Sequence, residues 1–150
     1  MNQVIIFCAT YLIYVSIAAA AFHIFFKHEK KHHLRHIVII FGSAVFAWLI
    51  AHVLKGQIAH ERPNLVNALI VPDDRYSFPS GHATFMFALT FAMLGFDKKI
   101  ATFIGVLAVF TGIARVLAGV HFWYDILGGF VLGAGVASII VAISKQIIKR

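Results

Sequence analysis

The chain has 150 residues, of which 61% are hydrophobic and only 13% are charged, a balance far from that of a soluble globular domain. This composition excludes an ordinary water-soluble enzyme and predicts an integral membrane protein. The formal net charge of +7 does not indicate nucleic-acid binding, because the basic residues lie between apolar runs and form no long basic face. We expect a single domain over residues 1–150, whose partners are the lipid bilayer and its anionic lipids.

Apolar runs along the chain predict helices, because backbone groups inside a bilayer must satisfy their hydrogen bonds locally. A helix needs roughly 20 apolar residues to cross hydrocarbon about 30 Å thick, so the chain has room for about five spans. The runs are Val4–Phe26, Ile37–Leu54, His82–Phe96, Ile100–Val120 and Ile126–Ser144. The sequence thus predicts an all-α, compact bundle of five transmembrane helices, the third of them short.

Basic residues predict the orientation of this bundle, since cytoplasmic loops carry an excess of Lys and Arg. They concentrate in residues 27–35, 98–99 and 145–150. With five spans, Met1 is then outside and Arg150 inside. The connection from Lys55 to Ser80 and the turn at His121 lie on the extracytoplasmic side. We therefore expect a multi-pass protein of the cell membrane whose chemistry faces outward.

Charged residues beside a membrane span are costly and are functional candidates by default. After the second run, Lys55 and Arg62 stand where a helix would place both cations on nearly the same side, and Pro63 would end that helix. Neighbouring polar residues are interpreted as structural, namely His52, His60 and Glu61. The charges that follow in the connection are interpreted as exposed, namely Asp73, Asp74 and Arg75.

The connection enters the third run at Pro79–His82, where backbone donors are available to an anion. Ser80 is a natural helix N-cap, and Gly81 has no side chain to block an approaching group. Free N–H groups and the helix dipole at such a position favour phosphate. The sequence therefore predicts a phosphate cradle with His82 beside it.

A third polar cluster, formed by Arg115, His121 and Asp125, separates the last two runs. The four-residue step from His121 to Asp125 lets the carboxylate reach an imidazole N–H if the segment is helical. Asp125 would then fix the tautomer of His121 and stabilise its charged ring. Farther along, Gly129 and Gly133 form a pair of small residues that predicts close helix packing.

In chain order, these clusters match the motifs Lys-x6-Arg-Pro, Pro-Ser-Gly-His and Ser-Arg-x5-His-x3-Asp. The sequence therefore resembles the PAP2 superfamily, the type-2 phosphatidic acid phosphatases, which also includes the vanadium haloperoxidases. The resemblance extends from the second apolar run to the last and implies the helical core of that superfamily. One position departs from the pattern, because Ala114 stands where the family has a Ser whose hydroxyl is expected to bind a phosphate oxygen.

The resemblance implies a lipid phosphatase that requires neither a metal nor a cofactor. In that mechanism His121 attacks phosphorus to form a phosphohistidine, Asp125 supports the resulting imidazolium, and His82 protonates the departing oxygen. Neutral His82 would next activate the water that hydrolyses the intermediate. The residues expected to bind phosphate are Lys55, Arg62, Ser80, Gly81 and Arg115.

Several functions fit these residues. Resemblance to small bacterial membrane phosphatases favours undecaprenyl pyrophosphate at a bacterial inner membrane, but phosphatidylglycerophosphate, phosphatidate and lipid A phosphate fit equally. A proton-coupled transporter would use His82, His121 and Asp125 as a relay, although a relay should extend through the membrane rather than gather on one side. Ala114 motivates a third alternative, a non-catalytic anion-binding homologue. The sequence leaves the oligomeric state open.

Overall fold

The computed structural model of the protein describes residues 1–27, 30–63, 65–72 and 74–148. Over these residues the regular secondary structure is helical, apart from an isolated antiparallel bridge between Glu61 and Tyr76. The α-helices are α1 (Asn2–Thr10), α2 (Leu12–Lys27), α3 (Lys30–Ile58), α4 (Gly81–Leu94), α5 (Lys98–Leu117) and α6 (Trp123–Ile148). A 3-10 helix at Leu65–Asn67 lies between α3 and α4. Asp73 and Arg150, both named above, lie outside the described residues, as does residue 149 of the basic C-terminal segment.

Helix length identifies the candidates for crossing a membrane. Within the described ranges, three segments are long and apolar enough, namely His33–Ile58 in α3, Lys98–Leu117 in α5 and Trp123–Ile147 in α6. α1 and α2 meet the requirement only as a pair, bent by 44°. α4 is shorter, because its 14 residues rise only about 21 Å at 1.5 Å per residue. The described residues thus contain three candidate spans, or four with the bent pair, where the sequence predicts five.

The first apolar run differs from its prediction. A single helix is expected over Val4–Phe26, but the structure breaks it at Tyr11. The bend lets α1 lie against α5, where Ala9 is buried with Ala114 and Ala118. Packing against a neighbouring helix therefore overrides the continuity that the apolar run alone predicts.

α4 is the central helix of the bundle, in contact with α3, α5 and α6, and nine of its residues are buried. Glycines of α6 allow the closest of these contacts. A Cβ at Gly129 would lie 2.8 Å from the Cβ of Ala83, and one at Gly133 would lie 2.8 Å from the backbone nitrogen of Ala88. Close packing at this glycine pair is therefore confirmed. A helix enclosed by protein need not match the bilayer thickness, which accounts for the short α4.

The predicted polar clusters meet at one end of the bundle, where α3 and α5 end and α4 and α6 begin. α3 extends beyond the predicted Ile37–Leu54 but ends at Ile58, because Ala59 has a left-handed conformation with φ of 52°. Arg62 therefore follows α3. The sequence had predicted that Arg62 lies on the same helix as Lys55, and that prediction is wrong. The chain turns back there, and the N–H of Ser77 donates to the carbonyl of His60 at 2.7 Å.

The opposite end of the bundle carries basic residues that predict the orientation. A shallow cavity there is lined by polar and charged side chains, among them His23, Lys27, Asp97, Lys98 and Lys99. Asp97 caps α5, because its carboxylate accepts from the backbone N–H groups of Lys99 at 2.8 Å and Ile100 at 3.1 Å. The polar cap explains why α5 begins at Lys98, two residues before the predicted start.

Candidate active site

A cavity of about 210 Å³ opens at the end of the bundle where the predicted clusters meet. Its lining contains most of the predicted site residues, namely Lys55, Arg62, Gly81, His82, Arg115 and His121. Trp48, His52 and Asp74 also line it, although the sequence interpretation leaves them out of the site. Ser80 and Asp125 lie behind the cavity wall, fully buried.

His121 and Asp125 form a buried pair beside this cavity. Nδ1 of His121 lies 3.1 Å from Oδ2 of Asp125, although His121 precedes α6 and the pair does not lie on one helix as the spacing suggested. The same oxygen accepts from the N–H of Phe122 at 2.8 Å, so it is held from two directions. An ionised carboxylate only accepts, so Nδ1 carries the proton and Nε2 keeps its lone pair.

The surroundings of His121 favour its neutral form. Burial, above all, lowers the pKa of His121 to about 4, and the Arg115 and Arg62 cations act in the same direction against the opposing carboxylate of Asp125. An Nη nitrogen of Arg62 lies 3.4 Å from Nε2. At neutral pH the ring therefore presents an unprotonated Nε2 to a cavity bordered by cations, which is the arrangement that a nitrogen nucleophile needs.

Ser77 supports the other oxygen of Asp125, and the sequence interpretation missed it. Its hydroxyl is 3.3 Å from Oδ1 of Asp125 and 3.0 Å from Nδ1 of His60. Nε2 of His60 in turn lies 3.2 Å from the hydroxyl of Tyr124. A chain of polar contacts thus runs from the surface at Tyr124 to His121. The 48 residues between Ser77 and Asp125 explain why spacing alone does not reveal it.

Lys55 and Arg62 converge, as expected, but on a partner that the sequence analysis treated as an exposed charge. Lys55 donates to Oδ2 of Asp74 at 2.7 Å, while the guanidinium of Arg62 donates to Oδ1 of the same carboxylate. Nε of Arg62 also donates to the backbone carbonyl of Asp74 at 2.9 Å. Burial alone would raise the pKa of Asp74, but the hydrogen bonds from Lys55 and Arg62 outweigh it and lower the pKa below its usual value.

Arg115 contributes another cation from the last turn of α5. The residue is buried, and one Nη nitrogen donates to the carbonyl of Ala9 at 3.2 Å. Ala9 precedes the bend between α1 and α2, so the N-terminal helix pair helps to orient this side chain. Ala114, by contrast, packs with Ala9, Ala118 and Val120 in an apolar cluster. Its methyl group belongs to that cluster and not to the cavity lining.

The Pro-Ser-Gly-His segment forms the start of α4, as predicted. Ser80 is the N-cap, its hydroxyl 3.5 Å from the N–H of Ala83, and its own N–H donates to the carbonyl of Asp125 at 3.0 Å. The side chain of Ser80 is therefore directed to α4, whereas Gly81 and His82 line the cavity. A Cβ at Gly81 would lie 3.3 Å from Nε1 of Trp48, so glycine here keeps the cavity open.

Trp48 and His52 extend the cavity wall along α3. Their rings are stacked with centroids 5.7 Å apart, one helical turn from each other. Trp48 is two turns before Lys55, which corresponds to roughly 10 Å along the axis. The spacing of Trp48, His52 and Lys55 places them on one helix face, a signal available in the sequence. Trp48 and His52 lie outside the three motifs, which is why the motifs alone do not identify them.

Comparison with known proteins identifies the kind of protein that shares these features. Residues 36–149 match the PAP2 superfamily. Phosphatidylglycerophosphatase B of Bacillus subtilis is 37% identical over 65% of this chain and 51% of its own length, so the chain spans about half of that relative. An undecaprenyl-diphosphatase of Sulfolobus acidocaldarius is 30% identical over 97% of this chain and 71% of its own length.

A solved structure gives the same result in three dimensions. The crystal structure of a transmembrane PAP2 type phosphatidylglycerolphosphate phosphatase from Bacillus subtilis superposes with a TM-score of 0.71 at 29% sequence identity. The superposition covers 99% of this chain and 78% of that one. Sequence and fold thus agree over the helices that carry the cavity.

Proposed function

This chain belongs to the PAP2 superfamily, and from that membership and the geometry of its cavity we propose that it is a membrane lipid phosphatase acting through a phosphohistidine on His121. One observation carries the proposal. Nε2 of a buried His121, its other nitrogen held by Asp125, faces a cavity that Lys55, Arg62 and Arg115 border with positive charge. A nucleophile beside converging cations suits attack on a phosphoryl group.

In the proposed reaction, Nε2 of His121 attacks phosphorus and the N–P bond forms as the bond to the lipid oxygen breaks. His82 gives its proton to that oxygen, and Asp125 stabilises the imidazolium. Neutral His82 then takes a proton from water, the hydroxide oxygen bonds to phosphorus, and the N–P bond breaks. Inorganic phosphate leaves, and both histidines return to their starting protonation. Lys55, Arg62 and Arg115, with the backbone at Gly81, stabilise charge on the phosphoryl oxygens, while the N–H of Ser80 stays bonded to the carbonyl of Asp125.

The membrane arrangement belongs to the same proposal. The bent α1–α2 pair, α3, α4, α5 and α6 make five crossings, with α4 enclosed by the others. The cavity then lies at the extracytoplasmic surface, and Met1 is on that side. Support comes from Lys27, Lys98 and Lys99 at the opposite end of the bundle, since basic residues mark the cytoplasmic side.

The proposed substrate is a lipid phosphate or pyrophosphate, with undecaprenyl pyrophosphate preferred. The relative named undecaprenyl-diphosphatase aligns with nearly the whole chain. Phosphatidylglycerophosphate is a specific second candidate, because relatives with that activity in their names include the 37% identical protein. Lipid A phosphate and phosphatidate complete the set to be compared.

The test is phosphate release by the purified full-length protein in detergent micelles, measured on these four lipids with and without a chelator. Release from one or more of them, unaffected by the chelator, is expected. Acid-quenched mass spectrometry should then find the phosphoryl group on His121 and not in His121→Ala. Phosphorylation of Ser80, or a strict requirement for added divalent metal, would overturn the mechanism. Binding of phosphate without any turnover would favour the non-catalytic homologue.

A further inference from the structure

We propose that Asp74 is a specificity-determining residue, whose carboxylate competes with a phosphoryl group for the phosphate-binding cations and admits only ligands with more negative charge than its own. This inference rests on the proposed function, because it assigns Lys55 and Arg62 to phosphate. Asp74 lies outside the three sequence motifs. It is nevertheless the only acidic side chain on the cavity lining within the described residues.

The contacts of Asp74 resemble those expected of a bound phosphoryl group. Its two carboxylate oxygens are divided between the two cations, Oδ2 with Lys55 and Oδ1 with Arg62. The side chains of these cations are only 8% and 4% exposed, whereas that of Asp74 is 35% exposed. The carboxylate therefore reaches the cations from the open side of the cavity, the side from which a ligand would arrive.

The position of Asp74 in the chain allows it to be displaced. It lies in the connection between α3 and α4 and belongs to no helix. Its neighbour Arg75 is exposed, lies 3.5 Å from the exposed carboxylate of Glu61 and has its guanidinium 5.6 Å from the ring centroid of Tyr76. Lys55, in contrast, belongs to α3, and Arg62 is tied to the carbonyl of Val120. Binding of a phosphoryl group would thus move the side-chain carboxylate, while the cations stay in place and Nε of Arg62 keeps its hydrogen bond to the backbone carbonyl of Asp74.

Charge decides which ligands can make this exchange. A phosphodiester headgroup carries one negative charge, the same as the carboxylate, so replacing Asp74 gains no net attraction and leaves a displaced anion beside it. A phosphate monoester carries about 1.5 to 2 negative charges at pH 7, and a pyrophosphate ester carries more. These ligands gain attraction to Lys55, Arg62 and Arg115 together. Asp74 would therefore exclude the phosphodiester lipids that surround the site in the bilayer.

A different role for Asp74 would be to hold Lys55 and Arg62 in position. The two roles predict opposite results for Asp74→Asn, which keeps the shape of the side chain and one acceptor oxygen but removes the charge. If Asp74 competes with phosphate, removing its charge should make phosphate bind more tightly. If Asp74 holds the two cations in position, the same substitution should weaken the binding of every anion.

The experiment compares the full-length parent, Asp74→Asn and Asp74→Ala with Glu61→Gln, which removes an exposed carboxylate from the same connection. In detergent micelles containing a hydrolysable lipid phosphate, inhibition constants are measured for inorganic phosphate, vanadate and phosphatidylglycerol, a phosphodiester. Both Asp74 variants should bind phosphate and vanadate about two- to fivefold more tightly, as expected for loss of a partly exposed ion pair. Phosphatidylglycerol should become an inhibitor, while Glu61→Gln behaves as the parent.

Weaker or unchanged phosphate binding in both variants, at a melting temperature close to that of the parent, overturns the assignment. Using two variants separates the charge of Asp74 from any failure of one substitution to fold. If the parent hydrolyses lipid phosphate but Asp74→Asn shows no gain, the role of Asp74 alone fails. If the parent neither hydrolyses lipid phosphate nor responds to vanadate, the proposed function fails and this inference with it.

Discussion

The two ends of the bundle each contain a His–Asp pair with a buried histidine, and the pairs differ in distance and in the burial of the carboxylate. His121 and Asp125 are 3.1 Å apart, with a carboxylate that is 0% exposed. His23 and Asp97 are 3.5 Å apart, with a carboxylate side chain that is 34% exposed. Oδ1 of Asp97 accepts from the start of α5, and the pKa of Asp97 is lowered chiefly by the backbone N–H of Ile100. The same two residue types thus provide the buried, oriented histidine proposed as the nucleophile at one end and a helix cap at the other.

The difference lies in what surrounds the pair. Lys55, Arg62 and Arg115 border the cavity beside His121, and each is itself buried or nearly so. The lysines near His23 lie around a shallow, open cavity where water screens their charge. Burial, a second partner for the carboxylate and convergent cations are therefore the properties that distinguish a candidate catalytic pair from a structural one.

Removing the histidine of each pair gives the largest expected contrast. His121→Ala should reduce turnover by about 10⁴-fold or more, because the proposed nucleophile is lost. His23→Ala should leave kcat within about threefold of the parent, though at a lower melting temperature, since it removes a buried side chain. Steady-state phosphate release, with circular dichroism to confirm folding, measures both. Equal losses in the two variants would refute the contrast.

The carboxylates should differ almost as much. Asp125→Asn removes the charge that orients His121 and stabilises its cationic form, and turnover should fall by about 10²- to 10⁴-fold. Asp97→Asn should retain turnover and lower the melting temperature slightly, because it removes the negative charge that stabilises the N-terminus of α5. Parallel assays and thermal melts of the two variants make the comparison. A catalytic loss for Asp97→Asn as large as that for Asp125→Asn would contradict it.

Titration of His121 offers a direct check on its surroundings. Its pKa is lowered to about 4, so the ring should be neutral at pH 7 and become protonated only as the pH falls through about 4. Because the Asp125 carboxylate raises this pKa, Asp125→Asn should move the titration to still lower pH. NMR of protein labelled at histidine, with the His121 signal assigned by its absence from His121→Ala, measures both. A His121 ring that titrates near its usual 6.5 would show that the site is open to water.

Ser77 should have a smaller effect, because it acts on His121 through Asp125. Loss of its hydroxyl removes roughly 1 kcal/mol of hydrogen bonding, so Ser77→Ala should lower kcat by about three- to tenfold. The KM for lipid phosphate should change little, since the hydroxyl contacts Asp125, His60 and the carbonyl of Glu61, none of which lines the cavity. Ser77→Thr, which keeps a hydroxyl, should recover part of the activity. A change confined to KM would indicate a role in binding instead.

Ala114 is expected to have the smallest effect, which reverses the expectation from the family motif. A hydroxyl at this position would enter the cluster of Ala9, Ala118 and Val120. Ala114→Ser should therefore change vanadate inhibition by less than about twofold and lower stability by about 1 kcal/mol, the cost of burying a hydroxyl with poor partners. Inhibition constants and thermal melts decide the matter. Substantially tighter vanadate binding would restore the original interpretation of Ala114 as a missing phosphate ligand.

Local patterns account for the parts of the site that the sequence predicts. His121 and Asp125 are four residues apart, and the N-cap at Ser80 depends on its immediate neighbours. Apolar runs likewise predict the helices but not the break at Tyr11, which depends on packing against α5. Membrane thickness does not predict the short length of α4, because α4 is surrounded by other helices and not by lipid.

The missed residues depend on contacts between distant segments. Asp74 is 19 residues from Lys55, and its role as partner of two cations arises only when the connection folds over the cavity. Ser77 reaches Asp125 across an even longer separation. A charged residue in a polar connection is part of no recognisable sequence pattern, so composition alone predicts that its side chain is exposed to solvent. The conformation of the turn after Ala59 determines that Asp74 contacts the two cations. Helical or strand periodicity in the sequence does not predict the conformation of such a turn.

The wall formed by Trp48 and His52 has a kinetic consequence for the proposed enzyme. Trp48 is 43% exposed on α3, a helix apolar enough to cross the bilayer, so in the proposed membrane arrangement the cavity opens beside hydrocarbon. A substrate that enters along this wall keeps its chain in the lipid phase and diffuses in two dimensions. Its effective concentration is then a mole fraction of the surface, and diluting it with inert detergent should slow hydrolysis even when its bulk concentration is unchanged.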